Sequence, residues 1–282
     1  MLSVACAAGG CDTIGQDFGD FFKDLTPPTP AKAAEWALDP YDAENRRRGT
    51  TLLANAPWGG SEVYLRMYRE RVENETDPQV ISISIRALAR HGDANDAVLI
   101  ATRLESEWRD VRWEAAMGLQ RLHNPEVADA LAKRVSDEFE DPDVRESSAV
   151  ALGQYPQDSA FQALVAALDA RELSVNLAAQ ASLLTLTARD FGLDRSAWLT
   201  WYRSSPAPFA DQQQYRFPTY QRPLTIWDHM VFWSPKSFEQ PDVPIGVSGD
   251  GARSTYGDSE EKPKETDSST SAGDASSAAS SP

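Results

Sequence analysis

The chain has 282 residues, a length that suits one large domain or two ordinary ones. Its 43 acidic and 27 basic residues give a formal net charge of -16, which leaves few cations for the clustered basic face that nucleic-acid binding needs. No apolar run approaches the roughly 18 to 20 residues that span a bilayer, so the sequence also argues against an integral membrane helix.

Both cysteines, Cys6 and Cys11, lie at the start of the chain. Three small residues precede Cys11 and polar residues follow it, an arrangement that resembles the end of a bacterial lipoprotein signal peptide. Residues 1–11 depart from that pattern in having no basic n-region, a short apolar stretch and Ala8 where leucine is usual. The resemblance implies lipidation of Cys11 and a lipid-anchored protein on the periplasmic side of the cell envelope. The alternative is a cytoplasmic protein with an uncleaved N-terminus.

An internal repeat of 31 to 33 residues occupies the middle of the chain. Four valines mark it, each followed eight residues later by a leucine: Val80 and Leu88, Val111 and Leu119, Val144 and Leu152, Val175 and Leu183. Turn and capping residues such as Asp141-Pro142 precede the valines, so each valine begins a first helix, A. Twenty residues after the valine stands Ile100, Leu131 or Leu164, with apolar residues at offsets 17 and 24, which predicts a second amphipathic helix, B.

A looser copy of the repeat covers residues 42–72, and a last copy begins at Leu173. The Asp-Pro-x-Val-Arg sequence at 141–145, the Ala-Leu-Gly sequence at 151–153 and the period near 31 resemble the short HEAT-like repeats of the phycobilisome-lyase type in bacterial proteins. One hairpin cannot bury its own apolar stripe, so neighbours must stack. We predict an all-α fold, a right-handed α-solenoid of about five helical hairpins over residues 31–205.

Three further segments flank the solenoid. Residues 12–30 contain a proline-rich run and are predicted to be a stiff spacer. Residues 206–247 are rich in proline and aromatic residues without a clear period, which predicts an irregular strap over the last repeat. The alternative is an exposed aromatic groove, for which Trp227 and Trp233 are candidate partner-binding residues. Residues 248–282 are rich in serine and acidic residues and are predicted to be a disordered tail.

One polar pattern recurs with the repeat. The arginines Arg71, Arg103 and Arg134 each stand one residue before the last apolar position of a B helix. In folds of this kind the B helices line the concave surface, so these arginines are candidates for a basic strip that binds a partner. The alternative is that they lie along their own helices and pair with acidic neighbours such as Glu70, Glu105 and Asp137.

The sequence contains few signs of catalytic chemistry. His91 and His123 fall in equivalent turns of consecutive repeats, where a structural role suits them better than metal binding. HEAT-like enzymes that hydroxylate a lysine-derived side chain hold two irons with His-Glu pairs, and this sequence has no His-Glu pair. A phosphate-binding glycine loop and a serine-nucleophile elbow are also missing from the sequence. We therefore expect no catalytic residue, metal or cofactor.

Two functions remain open at this point. The first is a non-catalytic scaffold for protein–protein interaction, tethered by lipid, whose concave face binds a protein partner that the sequence does not identify. The second is an enzyme of the HEAT-like family, such as a bilin-lyase-like enzyme that modifies proteins. A deep pocket with convergent ionisable groups favours the enzyme, whereas an open concavity favours the scaffold.

Overall fold

The computed structural model describes residues 28–56, 58–219 and 241–247. These residues form eleven α-helices joined by short turns. The helices are α1 (Pro30–Ala37), α2 (Ala43–Asn55), α3 (Glu62–Asn74), α4 (Pro78–His91), α5 (Asp96–Thr102), α6 (Arg109–Leu119), α7 (Ala128–Ser136), α8 (Pro142–Leu152), α9 (Asp158–Ala167), α10 (Leu173–Thr187) and α11 (Arg195–Ser204). Single 3-10 turns follow α5 at Arg103–Glu105 and precede α7 at Pro125–Val127.

The predicted Asp-Pro start signals are confirmed at α4 and α8, whereas α6 and α10 begin without a side-chain cap. Asp77 and Asp141 are the N-caps of α4 and α8, and each side chain accepts hydrogen bonds from backbone N–H groups of the first turn. Pro78 and Pro142 occupy the first helical positions, where a missing N–H costs nothing. Asp194 caps α11 in the same way. Asp77 and Asp141 thus fix where the second and fourth hairpins begin.

Successive hairpins stack in two layers. Helices α2, α4, α6, α8 and α10 pack one on the next and form the A layer. Helices α3, α5, α7, α9 and α11 form the B layer, with the two 3-10 turns completing the contact between α5 and α7. This arrangement of five hairpins confirms the predicted α-solenoid.

The core lies between the two layers and follows the repeat. The four leucines of the A helices and the three large apolar residues of the B helices are fully buried: Leu88, Leu119, Leu152, Leu183, Ile100, Leu131 and Leu164. At the N-terminal end, α1 covers the first hairpin with a small cluster formed by Ala33, Ala37 and Leu53. In the described residues, none of the helices is both long enough and apolar enough to cross a bilayer.

The C-terminal segment reaches further back than the last repeat. Gln213 donates its backbone N–H to the carbonyl of Thr185 at the end of α10, at 2.8 Å. Ile245 pairs with the turn after α6, two hairpins earlier, where it donates to the carbonyl of Arg121 at 2.9 Å and accepts from the N–H of His123 at 2.7 Å. The strap therefore covers the edge of three hairpins rather than the last repeat alone.

Gly246 allows this close approach. Its φ is +100°, and a Cβ at this position would lie 2.6 Å from the carbonyl oxygen of His123. Trp227 and Trp233, the aromatic candidates of this segment, lie outside the described residues. So do Cys11 with residues 1–27, and the tail at 248–282.

Candidate functional site in the A layer

The arginine row does not form an exposed basic strip. Arg71 is 5% exposed, and its guanidinium donates to the hydroxyl of Thr50 in α2 and to the carbonyl of Ala37 at the end of α1. Arg103 donates to the carbonyls of Val72 and Glu73, at 2.5 and 2.6 Å, one repeat earlier. Both side chains satisfy the last carbonyls of an earlier helix, where a cation is also favoured by the helix dipole.

Arg134 is likewise tied to its own chain. It is 8% exposed and pairs with Glu140 at 3.1 Å and with Glu105 of the preceding repeat at 3.4 Å. Glu140 also accepts from Arg112, at 2.8 Å, so one buried carboxylate joins two guanidinium groups. Asp137 lies 3.9 Å from Arg134. The expectation of a basic strip was wrong because these side chains are tied to neighbouring elements of the chain. Of the acidic partners expected in the alternative, Glu105 and Asp137 lie near Arg134, whereas Arg71 and Arg103 donate to a hydroxyl and to carbonyls instead.

A groove is present instead on the A layer. A cavity of about 690 Å³ lies over α2, α4 and α6. A second cavity of about 320 Å³ shares Arg86, Trp113 and Glu114 with the first and continues along α4 and α6 to Arg121. We call the two together the A-layer groove. Other lining residues of the first cavity are Arg47, Thr51, Pro78, Gln79, Ser82, Ile83, Trp108, Arg109 and Asp110, and those of the second are Ala89, Arg90, Met117 and Gly118.

The groove is rich in arginine on a strongly negative protein, and carboxylates just outside its lining, Glu44, Asp141 and Asp143, pair with two of these arginines. Its lining holds five arginines against two acidic residues, Asp110 and Glu114, whereas the chain as a whole has a net charge of -16. Arg86 is paired with Glu114 at 2.5 Å, and this hydrogen bond raises the pKa of the guanidinium. Its side chain is nevertheless 61% exposed, so Arg86 keeps a face toward the groove.

Two further arginines form the rim near the start of the A helices. Arg47 pairs with Glu44 on its own helix at 2.7 Å. Arg109 pairs with Asp110 at 3.0 Å and with Asp141 at 3.2 Å. Both side chains are more than one-third exposed. Such exposed pairs contribute little to stability.

Tryptophans provide the apolar part of the groove. Trp108 is 47% exposed at the entrance to α6. Trp113 is half-buried on the next turn, and the guanidinium carbon of Arg109 lies 5.9 Å from its ring centre. Tryptophan and arginine are the residue types that most often dominate binding energy in protein interfaces. Their combination in an open groove is suited to binding a peptide segment.

Sequence reasoning missed this groove because its residues do not follow the repeat. Arg86 corresponds to Met117, Val150 and Ala181 in the later repeats, and Trp108 to acidic residues in the others. A search for recurring positions therefore passes over them. The signal that was available is the run of arginine and tryptophan at 108–113, directly before and inside a predicted A helix.

The two turn histidines have contacts within the chain. His91 has its Nε2 2.6 Å from the carbonyl of Ala54, and His123 has its Nδ1 3.1 Å from the side-chain oxygen of Gln154. The His123 ring stacks on Tyr155 with centroids 5.0 Å apart, and burial lowers its pKa. In the part of the chain that the structure describes, no three His, Cys, Asp or Glu side chains are grouped as a metal site.

Comparisons with known proteins concern the fold. Residues 97–184 match the family model for HEAT repeats. The structure of the complex of CpcE and CpcF of phycocyanin lyase from Nostoc sp. PCC7120 matches with a TM-score of 0.51 and 20% identity, over 58% of this chain and 67% of that chain. A designed armadillo repeat protein gives a TM-score of 0.44 and 15% identity, over 64% and 93%. The search of curated proteins gave no significant match. Residues 97–184 thus match HEAT repeats, and the described helices around them form a solenoid of the same kind.

Proposed function

We propose that the protein is a non-catalytic interaction scaffold and that its A-layer groove binds an extended acidic segment of a partner protein. The observation that supports this is the lining of the groove, which combines five arginines with two tryptophans on a protein whose net charge is -16. Complementary charge steers a partner to one surface and sets its register. The rest of the acidic surface repels the same partner.

The dimensions of the groove favour a short extended segment. Helix α6 has 11 residues and is therefore about 16 Å long. An extended chain advances about 3.3 Å per residue, so about five residues lie along the helix. Arg109 stands at the beginning of this path, Arg86 near its middle and Arg121 at its far end. Acidic side chains on such a segment meet a guanidinium along the whole length.

The lining residues support binding rather than catalysis. They include no histidine and no cysteine, and the carboxylate of Glu114 is held by Arg86. Arginine keeps its proton at all physiological pH values and does not act as a general acid or base. The similarity to the CpcE and CpcF complex of a phycocyanin lyase bears on the fold, so the lyase activity named for that complex is not transferred to this chain.

We also propose that Cys11 carries a lipid anchor that holds the scaffold at the cell envelope. The support for this is the sequence pattern around Cys11 alone. Two acyl chains give stable membrane binding where one is marginal. When the chain is expressed in bacteria behind a basic n-region, it should incorporate labelled palmitate, and Cys11→Ser should abolish the label. Cys6→Ser should keep it, and a wild-type protein without label would contradict the anchor.

The groove is tested by titrating a fluorescent peptide of four glutamates and one tryptophan with the full chain. Replacing Arg47→Gln together with Arg109→Gln removes two rim charges. We expect the affinity of this double variant for the peptide to be about tenfold lower than that of the wild type, which corresponds to about 1.4 kcal/mol of binding free energy. Added salt should weaken wild-type binding as well, since the Debye length falls from about 10 Å at 0.1 M to about 3 Å at 1 M.

The matched control is Arg66→Gln with Arg195→Gln. Both arginines are exposed on B-layer helices, α3 and α11, so this pair changes the net charge equally without touching the groove. Its affinity for the peptide should stay within about twofold of the wild type. Equal loss in the two double variants would show a general charge effect and would contradict a site in the A-layer groove.

A further inference from the structure

The described chain ends beside the A-layer groove. Ile245 is held at the turn after α6 by its two backbone hydrogen bonds to Arg121 and His123. Arg121 is also a lining residue of the groove, and its guanidinium lies 4.7 Å from the ring centre of Phe217 in the strap. Val247, two residues after Ile245, is the last described residue. The segment that follows in the sequence therefore starts at the far end of the groove.

This following segment has the composition that the groove selects. Residues 248–282 contain seven acidic and three basic residues. Their densest acidic run next to an aromatic residue is Tyr-Gly-Asp-Ser-Glu-Glu at 256–261. Nine residue steps separate Val247 from Tyr256, which allows a reach of about 30 Å at about 3.3 Å per residue. The run can therefore lie along all of α6.

We infer that residues 256–261 bind the A-layer groove of their own chain and compete there with the acidic segment of a partner. The carboxylates of Asp258, Glu260 and Glu261 pair with the groove arginines, and the ring of Tyr256 packs against the tryptophans. This inference rests on the proposed function, because it names a second ligand for the same site. A partner then binds only when it displaces the segment.

Tethering makes such a contact effective although each ion pair is weak. A flexible linker of this kind holds the segment near the groove at an effective concentration in the millimolar range. Binding in cis therefore does not cost the translational and rotational entropy that a separate partner loses. An acidic partner in solution must instead approach a chain with a net charge of -16. The cis segment is thus a ready competitor that a partner with more contacts can replace.

The position of the segment is tested on the full chain by paramagnetic relaxation. Cys6→Ser and Cys11→Ser remove the native thiols, and Ser259→Cys carries a nitroxide. We expect the indole N–H signals of Trp108 and Trp113 to broaden at low ionic strength and to recover in 1 M salt, while that of Trp198 in α11 stays sharp. Sharp Trp108 and Trp113 signals at low ionic strength would overturn the inference.

A mixing experiment separates binding in cis from binding to a second copy. Isotope-labelled chain without nitroxide is mixed with unlabelled chain that carries the nitroxide at position 259. Sharp tryptophan signals in this mixture support the cis contact. If the tryptophan signals in the mixture broaden as much as in the nitroxide-carrying chain itself, the segment binds a second copy, and this result would overturn the cis contact.

Competition is measured with the glutamate peptide used above. The segment variant combines Asp258→Asn, Glu260→Gln and Glu261→Gln. Its matched control combines Glu265→Gln, Asp267→Asn and Asp274→Asn, which makes the same charge change further along the tail. We expect the segment variant to bind the peptide at least fivefold more tightly than the control variant.

The outcomes distinguish the two proposals. Equal affinity of the two triple variants overturns the cis contact, whereas loss of binding in the Arg47 and Arg109 double variant still supports the acidic-segment site. Absence of peptide binding in every variant overturns both. Binding that appears only in the segment variant supports both, since it shows a competent groove that is occupied in the wild type.

Discussion

The arginine row of the B layer and the arginines at the rim of the A-layer groove make different contacts. In the B layer, Arg71, Arg103 and Arg134 donate hydrogen bonds to carbonyls, a hydroxyl and carboxylates of neighbouring elements of their own chain. In the A layer, Arg47 and Arg109 form exposed pairs at the rim of the groove. The first three arginines hold neighbouring elements together, whereas Arg47 and Arg109 stay more than one-third exposed.

This difference shows how a repeat protein separates stability from binding. Each repeat meets the next through an equivalent contact, so a side chain that serves stacking recurs at the same offset. A side chain that serves a ligand needs to occur only where the ligand binds. Arg86 and Trp108 break the repeat pattern at their positions. We infer that recurrence marks the scaffold and that interruptions of the pattern mark the site.

The largest effect should follow from removing the carboxylate that joins Arg112 of α6 to Arg134 of α7. Glu140→Ala leaves Arg112 and Arg134 without their shared partner in a site where the Glu140 side chain is 2% exposed. Breaking a buried pair from one side costs about 3 to 5 kcal/mol. Urea unfolding should show this loss with circular dichroism still helical in the absence of urea.

Glu138→Ala is the control for this change. Glu138 is an exposed residue in the same turn, so its replacement should alter the free energy of unfolding by about 0.5 kcal/mol or less. If Glu140→Ala behaved like Glu138→Ala, the B-layer arginines would not be structural and the contrast between the layers would fail.

A smaller loss is expected at Arg103. Arg103→Met keeps an apolar stem of similar length but removes the donors to the carbonyls of Val72 and Glu73. Hydrogen bonds from a charged group contribute about 1.5 to 3 kcal/mol, so the midpoint of urea unfolding should fall accordingly. Arg66→Met on the exposed face of α3 should leave the midpoint nearly unchanged. Equal midpoints of the two variants would remove Arg103 from the stacking contacts.

The repeat pattern made the stacking predictable from the sequence. The valine and leucine positions of the A helices, the Asp-Pro starts and the apolar ladder of the B helices are local or periodic signals, and all were confirmed. The sequence does not predict whether an arginine is paired within the chain or exposed to solvent. That distinction depends on where Ala37 or Glu140 lies in three dimensions.

The reach of the strap was missed for a related reason. Its contact between Ile245 and Arg121 joins residues more than 120 positions apart, and it uses backbone groups that every residue possesses. A side-chain pattern in the sequence therefore does not predict such a pairing. The groove, in turn, is formed by three helices whose relevant side chains follow no period, so only the assembled A layer brings them together.

The smallest expected effect is the change of stability with pH, which should depend on His123 beside the strap and not on the groove. Burial lowers the pKa of His123 below its ordinary value near 6.5, so the unfolded chain takes up the proton first as the pH falls. Stability is therefore full above about pH 7 and decreases on acidification through the window below 6.5. Urea midpoints at pH 7.5 and 5.5 should differ less in His123→Gln than in the wild type.

The groove should not share this response. Its arginines stay protonated throughout, and glutamates of the peptide stay ionised above about pH 5.5. Affinity for the glutamate peptide should therefore be unchanged between pH 7.5 and 6. In the unfolding experiment, a change of the urea midpoint with pH as large in His123→Gln as in the wild type would assign the loss of stability at low pH to groups other than His123.

The location of the bound peptide tests the central claim most directly. A glutamate peptide with a photo-reactive group at its centre is bound to the full chain, irradiated and mapped by mass spectrometry. The A-layer groove predicts crosslinks on α4 and α6, at Ile83, Trp108 or Trp113. Crosslinks confined to the B-layer helices, or to the strap at residues 241–247, would contradict the account.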